Sequence, residues 1–509
     1  MEEQQNVIIV NKCSVCENEC FELEDRCILH CEKNQNNDWY KLNEENQKEW
    51  DERKVNLFWK CIQNYLNNNY RNYLTNNDLL HSNFYLEKII FPKFQEDKKY
   101  ISLADNEYEL GTNFYSFDEF EYPDQTKKRE VNELFNKLIV TFDHCLFLDD
   151  ANFQKYTFEH PLSFQECTFN SEIQLNKLNK NRISFLACTI HNLNCEDVVF
   201  EEKVNIQNCT INGKSNFYNT KFKRLADFYR TRFNEVVFER TDFDKVVVFS
   251  EAVFSLDVNF KYTKFLGYSV FRDTVIKGKL DLRNTIFYNN ADANFLDITS
   301  EERKRDPFYG EPTVIQVSNR ETARIIKNFY EHSNNIIEAN KFYALEMQKR
   351  EEELNKGIKN FDWLIFKIHG ISSDHSQSPF LALLWIFNVS ILYIILSNTN
   401  MWQKHNMYIL PIGFSAISIV YFCTIELIEY KYKKQIFSGL FLIFLFISHF
   451  LIIQSSLTCL LNCLADKINP FSIMTTPDVI TFGLLIYKTI IAYLIYQFII
   501  SVRQNTRRK

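Results

Sequence analysis

The stretch ADFYRTRFNEVVFERTDFDKVVVFSEAVFSLDVNFKYTKF, residues 226–265, decides the fold of this chain. Its phenylalanines stand at positions 228, 233, 238, 243, 249, 254, 260 and 265, at steps of five or six residues. A small or β-branched residue recurs two positions before many of them, as at Ala226, Thr231, Thr241, Ala252 and Thr263. Phenylalanines placed by chance would not be accompanied by this second pattern.

Neither an α-helix nor a flat strand can bury both sets of side chains. On a helix a step of five residues turns about 500°, which leaves successive phenylalanines on different faces. On a flat strand an odd step sends successive side chains to opposite faces. A chain that bends once per repeat can point every large residue, and the small residue before it, inward. The spacing therefore predicts a solenoid whose stacked coils pair at about 4.8 Å.

The same spacing continues over residues 142–295, which we expect to form one repeat domain. Residues 170–184 are irregular in this pattern. Many large residues recur at a distance of 11, as five plus six, for example at Phe249, Phe260, Phe271 and Leu282. We expect the extra residues to be extruded as bulges at alternate corners of the coil.

Three units show the pattern most fully: Ala151-Asn152-Phe153, Ala226-Asp227-Phe228 and Thr241-Asp242-Phe243. This pattern resembles that of the pentapeptide-repeat proteins. The resemblance implies a right-handed quadrilateral β-helix of about four units per coil. Some members of the family imitate DNA through an acidic face, but this repeat is close to neutral, so we expect neither DNA mimicry nor a nucleic-acid partner.

Composition excludes several other classes of protein. The chain has 509 residues with only 10 glycines and 9 prolines, against 47 phenylalanines and 26 tyrosines. Its length predicts three or four structural units. It contains no glycine-rich phosphate loop and no G-x-S-x-G or H-E-x-x-H motif. We therefore expect no enzymatic activity.

Cysteines cluster near the amino terminus in NKCSVCENECFELEDRCILHC, residues 11–31. The spacing is typical of tetrahedral zinc coordination, and the cytoplasmic location expected for this end disfavours disulfides. The predicted ligands are Cys13, Cys16, Cys27 and Cys31, with His30 or Cys20 as alternatives. We predict a small domain over residues 1–36 with one structural zinc, the alternative being unligated or redox-active cysteines.

Helices are expected on both sides of the repeat. Residues 37–141 should form a helical or irregular cap on the first coil, since the open end of a solenoid exposes unpaired strand edges. Residues 300–370 should form connector helices. Within them, Phe361, Trp363, Leu364, Phe366 and Ile368 are interleaved with Lys359 and Lys367, which suggests a helix at a membrane interface or a further packed connector.

The last part of the chain, residues 379–509, is apolar and positively charged. It contains four long apolar stretches, at about 380–397, 407–425, 436–461 and 481–502, each long enough for a transmembrane helix. Basic residues follow the second and fourth stretches. The positive-inside rule then places both termini in the cytoplasm and predicts a multi-pass protein of the inner membrane.

Ionisable residues in and near these stretches are transport candidates: His449, Lys488, Asp466 and Asp478. Lys488 can pair with either aspartate, line a wet cavity with His449, or extend its ammonium group outward to the interface. The last span resembles the inner helix of two-span cation channels. The preceding segment PFSIMTT, residues 470–476, lacks the glycine of a potassium filter.

Two functional hypotheses follow from the sequence. In the first, membrane lipid anchors the chain and the cytoplasmic β-helix is a scaffold that binds a protein partner. In the second, the four spans form an ion channel or transporter that the β-helix regulates or assembles, with homo-oligomerisation as an option. Flux measurements distinguish them, because an anchor conducts nothing.

Overall fold

The computed structural model describes residues 12–16, 18–22, 24–76, 83–94, 135–136, 138–288, 293–295, 298–300, 315–357, 360–397, 468–469 and 481–506. The chain divides into two compact units, Met1–Ser333 and Asn334–Lys509.

The first unit is built around a parallel β-solenoid of about seven turns, which confirms the fold class predicted for the repeat. Each coil has four faces, which we number in chain order. A nine-stranded sheet forms the first face, a twelve-stranded sheet bends around the second and third faces, and a six-stranded sheet forms the fourth.

The strands are short, and their bounds are as follows. First-face strands are Asn83–Glu87, Ile139–Asp143, Leu162–Gln165, Ile183–Leu186, Val204–Gln207, Ala226–Asp227, Val247–Val248, Ser269–Val270 and Ala293–Asn294. Strands of the second and third faces are Ile90–Phe91, Leu146–Phe147, Ala151–Asn152, Thr168–Gln174, Thr189–Asn194, Thr210–Asn216, Arg232–Val237, Val253–Phe254, Val258–Asn259, Val275–Ile276, Lys279–Asp281 and Gln316–Val317. Fourth-face strands are Leu178–Asn179, Val199–Phe200, Lys221–Phe222, Asp242–Phe243, Lys264–Phe265 and Ile286–Phe287.

The phenylalanines stack in columns inside the coil. On the first face, Phe142 lies 4.9 Å from Phe164, which lies 4.8 Å from Phe185, with nearly parallel rings. Further along the same face, Phe249 stacks on Phe228 at 5.1 Å. These separations match the distance between paired strands, so each ring contacts its counterpart in the next coil. The core is therefore a set of aromatic columns that follow the solenoid axis.

Two of the four corners contain a residue in the left-handed backbone region. At the corner between the first and second faces these residues are Lys88, His144, Glu166, Ala187, Asn208, Arg230, Glu251 and Asp273, with φ between 50° and 56°. At the corner between the third and fourth faces they are Asp197, Asn219, Arg240, Tyr262 and Asn284. A backbone hydrogen bond closes many of these turns, as from Thr231 N to Phe228 O at 3.2 Å. We call these the left-handed corners.

The step across a left-handed corner is always five residues between large side chains, as from Phe228 to Phe233 and from Phe238 to Phe243. Steps of six fall at the other two corners, as from Phe254 to Phe260. Register shifts occur at one of these, for example between Ile211 and Lys214. The expected extra residues therefore lie at alternate corners.

The small residue of each unit also forms a column, in which threonine and cysteine take the same role. Thr241 Oγ1 donates to Phe217 O at 2.7 Å, and Thr263 Oγ1 donates to Phe238 O at 2.6 Å in the next coil. Cys167 Sγ donates in the same way to Phe142 O at 3.3 Å. The repeat cysteines thus tie each coil to the preceding one.

The solenoid continues beyond residues 142–295. The strand Asn83–Glu87 pairs in parallel with Ile139–Asp143, and Gln316–Val317 pairs with Lys279–Asp281. Residues 170–184, irregular in sequence, form an ordinary part of the coil. There Leu175 and Asn179 are buried at the third and fourth faces.

Both ends of the solenoid are covered. An antiparallel hairpin of Tyr40–Leu42 and Lys48–Trp50 leads into helix α1, Glu52–Asn76. Trp59 of α1 packs against Phe94 at 5.1 Å and donates from Nε1 to Lys93 O at 3.0 Å. At the other end lies helix α2, Arg320–His332, with Asn319 as its amino-terminal cap residue. Thr322 Oγ1 of this helix accepts a hydrogen bond from Leu282 N at 2.8 Å. These contacts satisfy backbone groups at the ends of the sheets.

The second unit is helical over its described residues: α3 Ile336–Lys356, α4 Phe361–Ser373, α5 Pro379–Ser397 and α6 Phe482–Thr506. The described residues include the first and the fourth of the four predicted transmembrane helices. Within the described ranges, one helix, Phe482–Gln504, is long and apolar enough to cross a bilayer. The first predicted span is helical over the whole of α5, 19 residues without a charged side chain. The predicted spans 407–425 and 436–461 lie outside the described residues.

Candidate functional site

Four amino-terminal side chains come together in a compact group. Cys13, Cys16, Cys27 and His30 place their ligand atoms within 4.8 Å of one another. Cys16 Sγ lies 3.4 Å from Cys27 Sγ, and His30 Nδ1 lies 3.1 Å from Cys27 Sγ and 3.7 Å from Cys13 Sγ. Three thiols and one imidazole in this arrangement can hold a metal ion. We call these residues the cysteine cluster.

Burial and hydrogen bonds shift the pKa values of the side chains in the cysteine cluster. Burial raises the pKa values of Cys16 and Cys27. Burial also opposes ionisation of Cys13, but backbone hydrogen bonds from Cys27, Val15 and Cys16 outweigh it and lower the pKa of Cys13. Burial lowers the pKa of His30, so its imidazole is neutral, as a metal ligand must be.

The cysteine cluster is fixed to the first coil of the solenoid. His30 Nε2 lies 3.1 Å from Glu87 O, and Ile90 N donates to Leu29 O at 3.0 Å. A ligating histidine is ordinarily oriented by such a second hydrogen bond. The contact at Nε2 leaves His30 Nδ1 to face the three sulfur atoms. The loop thus covers the strand edge where the solenoid begins.

Lys33 lies buried beside the cluster. Its Nζ donates to Ile28 O at 2.9 Å and to Cys31 O at 3.2 Å. The same atom is 4.9 Å from the Trp39 ring centroid and 5.0 Å from that of Phe58. Burial lowers the pKa of Lys33 to about 8. The cation–π contacts with Trp39 and Phe58 and the hydrogen bonds to backbone carbonyls together hold Lys33 against helix α1.

The structure selects among the predicted ligands. His30, named as an alternative, is in the cluster, whereas Cys31 is fully buried outside it and its Sγ donates to Ile28 O at 3.7 Å. Cys20 is half-buried and also lies outside the group. Cys27 and His30 are three residues apart in a single turn, closed by the hydrogen bond from His30 N to Cys27 O. Cys31 N also donates to Cys27 O, so the contact of His30 Nε2 with Glu87 O, and not the turn, distinguishes His30 from Cys31.

A charged groove follows the corner between the fourth and first faces. Its lining carries both signs of charge: Lys180, Glu201, Glu202, Lys223, Arg224, Asp244 and Lys245. Lys223 Nζ donates to Glu201 Oε1 at 2.9 Å. Because the opposite charges alternate between coils, the groove has no strong field of one sign.

An exposed apolar patch continues this surface toward the carboxyl end of the solenoid. Its members are Val246, Leu266, Tyr268, Ile286 and Tyr288. Val247 N donates to Tyr268 O, and Ile286 pairs with Lys264, so the patch spans adjacent coils. Gly267 allows close packing there, because a Cβ would lie 2.4 Å from the backbone carbon of Lys245. Sequence reasoning missed the patch, although these residues stand at outward positions beside the large ones.

Helix α4 carries a second exposed apolar surface, in the other unit. Phe361, Leu364, Ile365, Ile368 and Ile371 are all exposed and follow one another at helical spacing along one side. Trp363 and Phe366, also predicted at the interface, turn away from this stripe. Trp363 Nε1 donates to Asn355 Oδ1, and the Phe366 ring packs on His375 at 4.3 Å.

Of the transport candidates, His449, Asp466 and Asp478 lie outside the described residues. Lys488 is buried in α6, and its Nζ donates to Asn469 O. The ammonium group therefore has a backbone partner just before the last helix, a contact that none of the three predicted roles included.

Comparison with known proteins agrees with the geometry of the coil. The family model described as pentapeptide repeats (9 copies) matches residues 196–242 and 238–286. No curated protein and no solved structure matches the chain. The matched residues coincide with the most regular coils, in which Phe217, Phe228, Phe238 and Phe249 stack. The coiled middle of this chain is a pentapeptide-repeat domain, as its spacing of large and small residues predicted.

Proposed function

We propose that this chain is a membrane-attached scaffold that binds a protein partner through the fourth face of its β-solenoid. The observation that carries the proposal is the apolar patch, Val246, Leu266, Tyr268, Ile286 and Tyr288, next to the charged groove. Protein interfaces combine an apolar, aromatic centre with a polar rim in this way. The rigid solenoid presents this surface without any conformational change.

We infer the kind of partner from the chemistry of the apolar patch and the charged groove. Two tyrosines and three aliphatic side chains favour a partner with exposed apolar residues. The groove beside them, with basic and acidic side chains in alternation, favours a polypeptide that carries both charges over a phosphate backbone. We propose a cytoplasmic protein, and no catalytic role for the chain.

Site-specific photo-crosslinking of the full-length chain in cells tests this proposal. A photoreactive phenylalanine analogue at Tyr268 or Tyr288 should crosslink to the same protein from both positions, and Leu266→Arg should abolish both crosslinks. The matched control places the analogue at Leu186, which is exposed on the first face, and should give no such product. Crosslinks that survive Leu266→Arg, or that appear equally from Leu186, would contradict the proposed surface.

Membrane attachment is supported by Phe482–Gln504 and by the exposed stripe of α4. We propose that α6 crosses the cytoplasmic membrane together with the three other apolar stretches predicted from the sequence, an even number of crossings that keeps both termini cytoplasmic, and that the α4 stripe lies in the interface with its apolar residues toward the lipid. Alkaline extraction should leave the full-length chain in the membrane fraction. Complete release at alkaline pH would reject an integral helix.

The α4 contribution has its own test. The double substitution Ile365→Glu and Ile368→Glu should increase the accessibility of α4 to a membrane-impermeant reagent, because two charges then oppose burial in lipid. Glu352→Gln, on exposed α3, is the control and should leave accessibility unchanged. Equal accessibility in the charged variant and the wild type would show that α4 does not lie in the membrane interface.

We also propose that the cysteine cluster binds one structural zinc ion. In a tetrahedron with Zn–S of about 2.3 Å and Zn–N of about 2.0 Å the ligand atoms are about 3.5–3.8 Å apart. The observed separations of 3.1–3.7 Å are close to these edges. The full coordination by protein atoms favours a structural role that holds the loop on the first coil.

Metal analysis of the purified full-length chain under reducing conditions tests the zinc proposal. We expect one equivalent of zinc per chain, and less than 0.2 equivalents, on the order of background, in Cys13→Ser or His30→Ala. Cys31→Ala and Cys20→Ser are matched controls and should keep the metal. Retention of zinc by His30→Ala together with its loss from Cys31→Ala would replace His30 by Cys31 in the ligand set.

A further inference from the structure

A buried polar cluster joins the end of α4 to α6 and belongs to none of the sites above. His369 and Ser373 lie at the end of α4, His375 and Ser376 lie in the turn before α5, and Gln497 lies in α6. Ser373, His375, Ser376 and Gln497 are each 5% exposed or less.

The backbone of this turn is strained. Asp374, His375 and Ser376 have φ values of 50°, 53° and 65°, so three successive residues with side chains are in the left-handed region. L-residues enter this region as single residues, because Cβ crowds the neighbouring carbonyl. Local hydrogen bonds maintain the conformation, among them Asp374 N to Gly370 O at 2.8 Å and Ser376 N to Ser373 Oγ at 2.9 Å. Loss of these contacts would release the turn.

The hydrogen bonds determine where the imidazole protons are. Ser376 Oγ donates to Gln497 Oε1 at 3.1 Å, so Ser376 Oγ accepts from His369 Nε2 at 3.2 Å. His369 Nδ1 is then an acceptor, and His375 Nδ1 donates to it at 3.1 Å. His375 Nε2 therefore carries no proton in the neutral pair. Among the described residues it has no hydrogen-bond partner, although it is buried.

Charged groups from two helices and the turn face this nitrogen. Glu351 of α3 places Oε2 3.8 Å from His375 Nε2, beyond hydrogen-bonding distance, and its Oε1 accepts from Lys367 Nζ of α4. Asp374 is the adjacent charge in the turn. From α6 come uncharged groups, Gln497 and Tyr493, and the sequence of α5 contains no ionisable side chain other than Tyr393.

We propose that His375 Nε2 is a proton-binding site whose occupation releases the strained turn between α4 and α5. A proton added there turns a neutral, hydrogen-bonded imidazole into a cation within a buried pocket, and Glu351, already paired with Lys367, offsets this only in part. The cation is better solvated outside the pocket. When the His375 imidazole leaves the pocket, the hydrogen bonds that keep Asp374, His375 and Ser376 in the left-handed region break.

The direction of the pH dependence follows from burial. Burial lowers the pKa values of both His369 and His375, and the charge of His375 also lowers that of His369. A histidine with a lowered pKa in the packed state binds protons less well there than in the open state. The packed turn is therefore fully stable above the ordinary histidine pKa of about 6.5 and is progressively destabilised as the pH falls below it.

Amide hydrogen exchange of the full-length chain in lipid nanodiscs tests the proposal. After correction for intrinsic rates, the protection of residues 369–378 should fall by up to about tenfold per pH unit below pH 6.5 for one histidine. His375→Gln, which cannot take up the proton, should reduce this dependence to the part that His369 contributes. His332→Gln, at an exposed histidine of α2, is the matched control and should retain it.

Two outcomes would overturn the proposal: protection of residues 369–378 that is constant from pH 7.5 to pH 5, or a His375→Gln variant with the wild-type dependence. Glu351→Gln covers the case in which His375→Gln does not fold. It removes the carboxylate that favours the charged imidazole and so lowers the pKa of His375 in the packed state further, so the loss of protection should continue to a lower pH and be larger at pH 5 than in the wild type. A loss at pH 5 no larger than that of the wild type would exclude His375 as the responding group.

Discussion

Removal of one phenylalanine ring from the middle of an aromatic column gives the strictest test of the solenoid. Phe249 is fully buried and its ring is stacked between Phe228 at 5.1 Å and Phe271 at 5.0 Å. Its edges contact Phe238 at 5.4 Å and Phe260 at 5.6 Å. Phe249→Ala therefore removes a ring with aromatic neighbours above, below and on two sides.

The expected loss of stability is at the upper end of the usual range. Phenylalanine-to-alanine substitutions in cores cost about 3–5 kcal/mol. We expect about 4–5 kcal/mol for Phe249→Ala, because the hydrogen-bonded coils on each side cannot collapse into the cavity. Phe287, in the last described fourth-face strand, is half-buried and stacks on one partner, Phe265, at 4.9 Å. For Phe287→Ala we expect about 2 kcal/mol.

Native-state hydrogen exchange on the full-length chain measures both losses locally. The amides of residues 226–271 report on Phe249→Ala, and those of residues 264–288 report on Phe287→Ala, since stability in a solenoid is a sum of coil and nearest-neighbour contributions. Equal losses for the two substitutions, or a loss below about 1.5 kcal/mol for Phe249→Ala, would refute the inward columns. Such a result is expected if alternate rings face solvent.

Three further predictions concern the corners, the columns and the cap. Ala187 has φ of 55° and is exposed at a left-handed corner, so Ala187→Gly should raise the free energy of unfolding by up to about 1 kcal/mol and Ala187→Val should lower it. The melting temperatures of the two variants test this prediction. A higher melting temperature for the valine variant would contradict the corner geometry. Thr241→Val should lower the free energy of unfolding by about 1 kcal/mol, since Phe217 O loses its hydrogen-bond donor, whereas Thr189→Val, at an exposed threonine, should be nearly neutral. Amide hydrogen exchange of residues 217–243 measures the difference. Equal effects of the two substitutions would contradict the stabilising role assigned to the threonine column. Chelation of zinc should increase exchange of residues 83–91, because His30 and Leu29 contact Glu87 and Ile90; unchanged protection there would separate the cluster from the solenoid end.

Much of the solenoid follows from the sequence, because burial of phenylalanines at odd steps leaves the backbone few options. The regular part, from Phe217 to Phe265, has a large residue in nearly every unit, and both registers are visible. The neighbouring coil at residues 170–184 was obscured because Asn179 occupies a buried position on the fourth face. Its Nδ2 donates to Asn176 O at 2.7 Å, which satisfies a polar group where the pattern expects an apolar one.

The first coil was hidden for a different reason. Its strands at residues 83–91 are separated in sequence from Ile139, with which they pair in space. A repeat search reads local spacing, and no local spacing connects the two segments. The coil is recognised only when the parallel register between Asn83 and Ile139 is seen.

The candidate site was predicted in its composition but not in every residue. The sequence spacing does not distinguish the ligand pair Cys27 and His30 from the pair Cys27 and Cys31. The fold distinguishes them, since the hydrogen bond to Glu87 O aims His30 Nδ1 at the sulfur atoms while Cys31 turns into the core. The strained turn at residues 374–376 was not predicted, because none of these positions is a glycine, the residue that usually indicates a left-handed backbone.

The division between left-handed and six-residue corners has a consequence for how this domain can change in length. A single inserted or deleted residue is tolerated at the corners where steps of five and six already coexist, as from Phe233 to Phe238 and from Phe254 to Phe260. At a left-handed corner the same change would move every later ring off its column. Point insertions should therefore accumulate on the edge between the second and third faces, while duplication of a whole coil lengthens the molecule in increments of about 4.8 Å and leaves its cross-section unaltered.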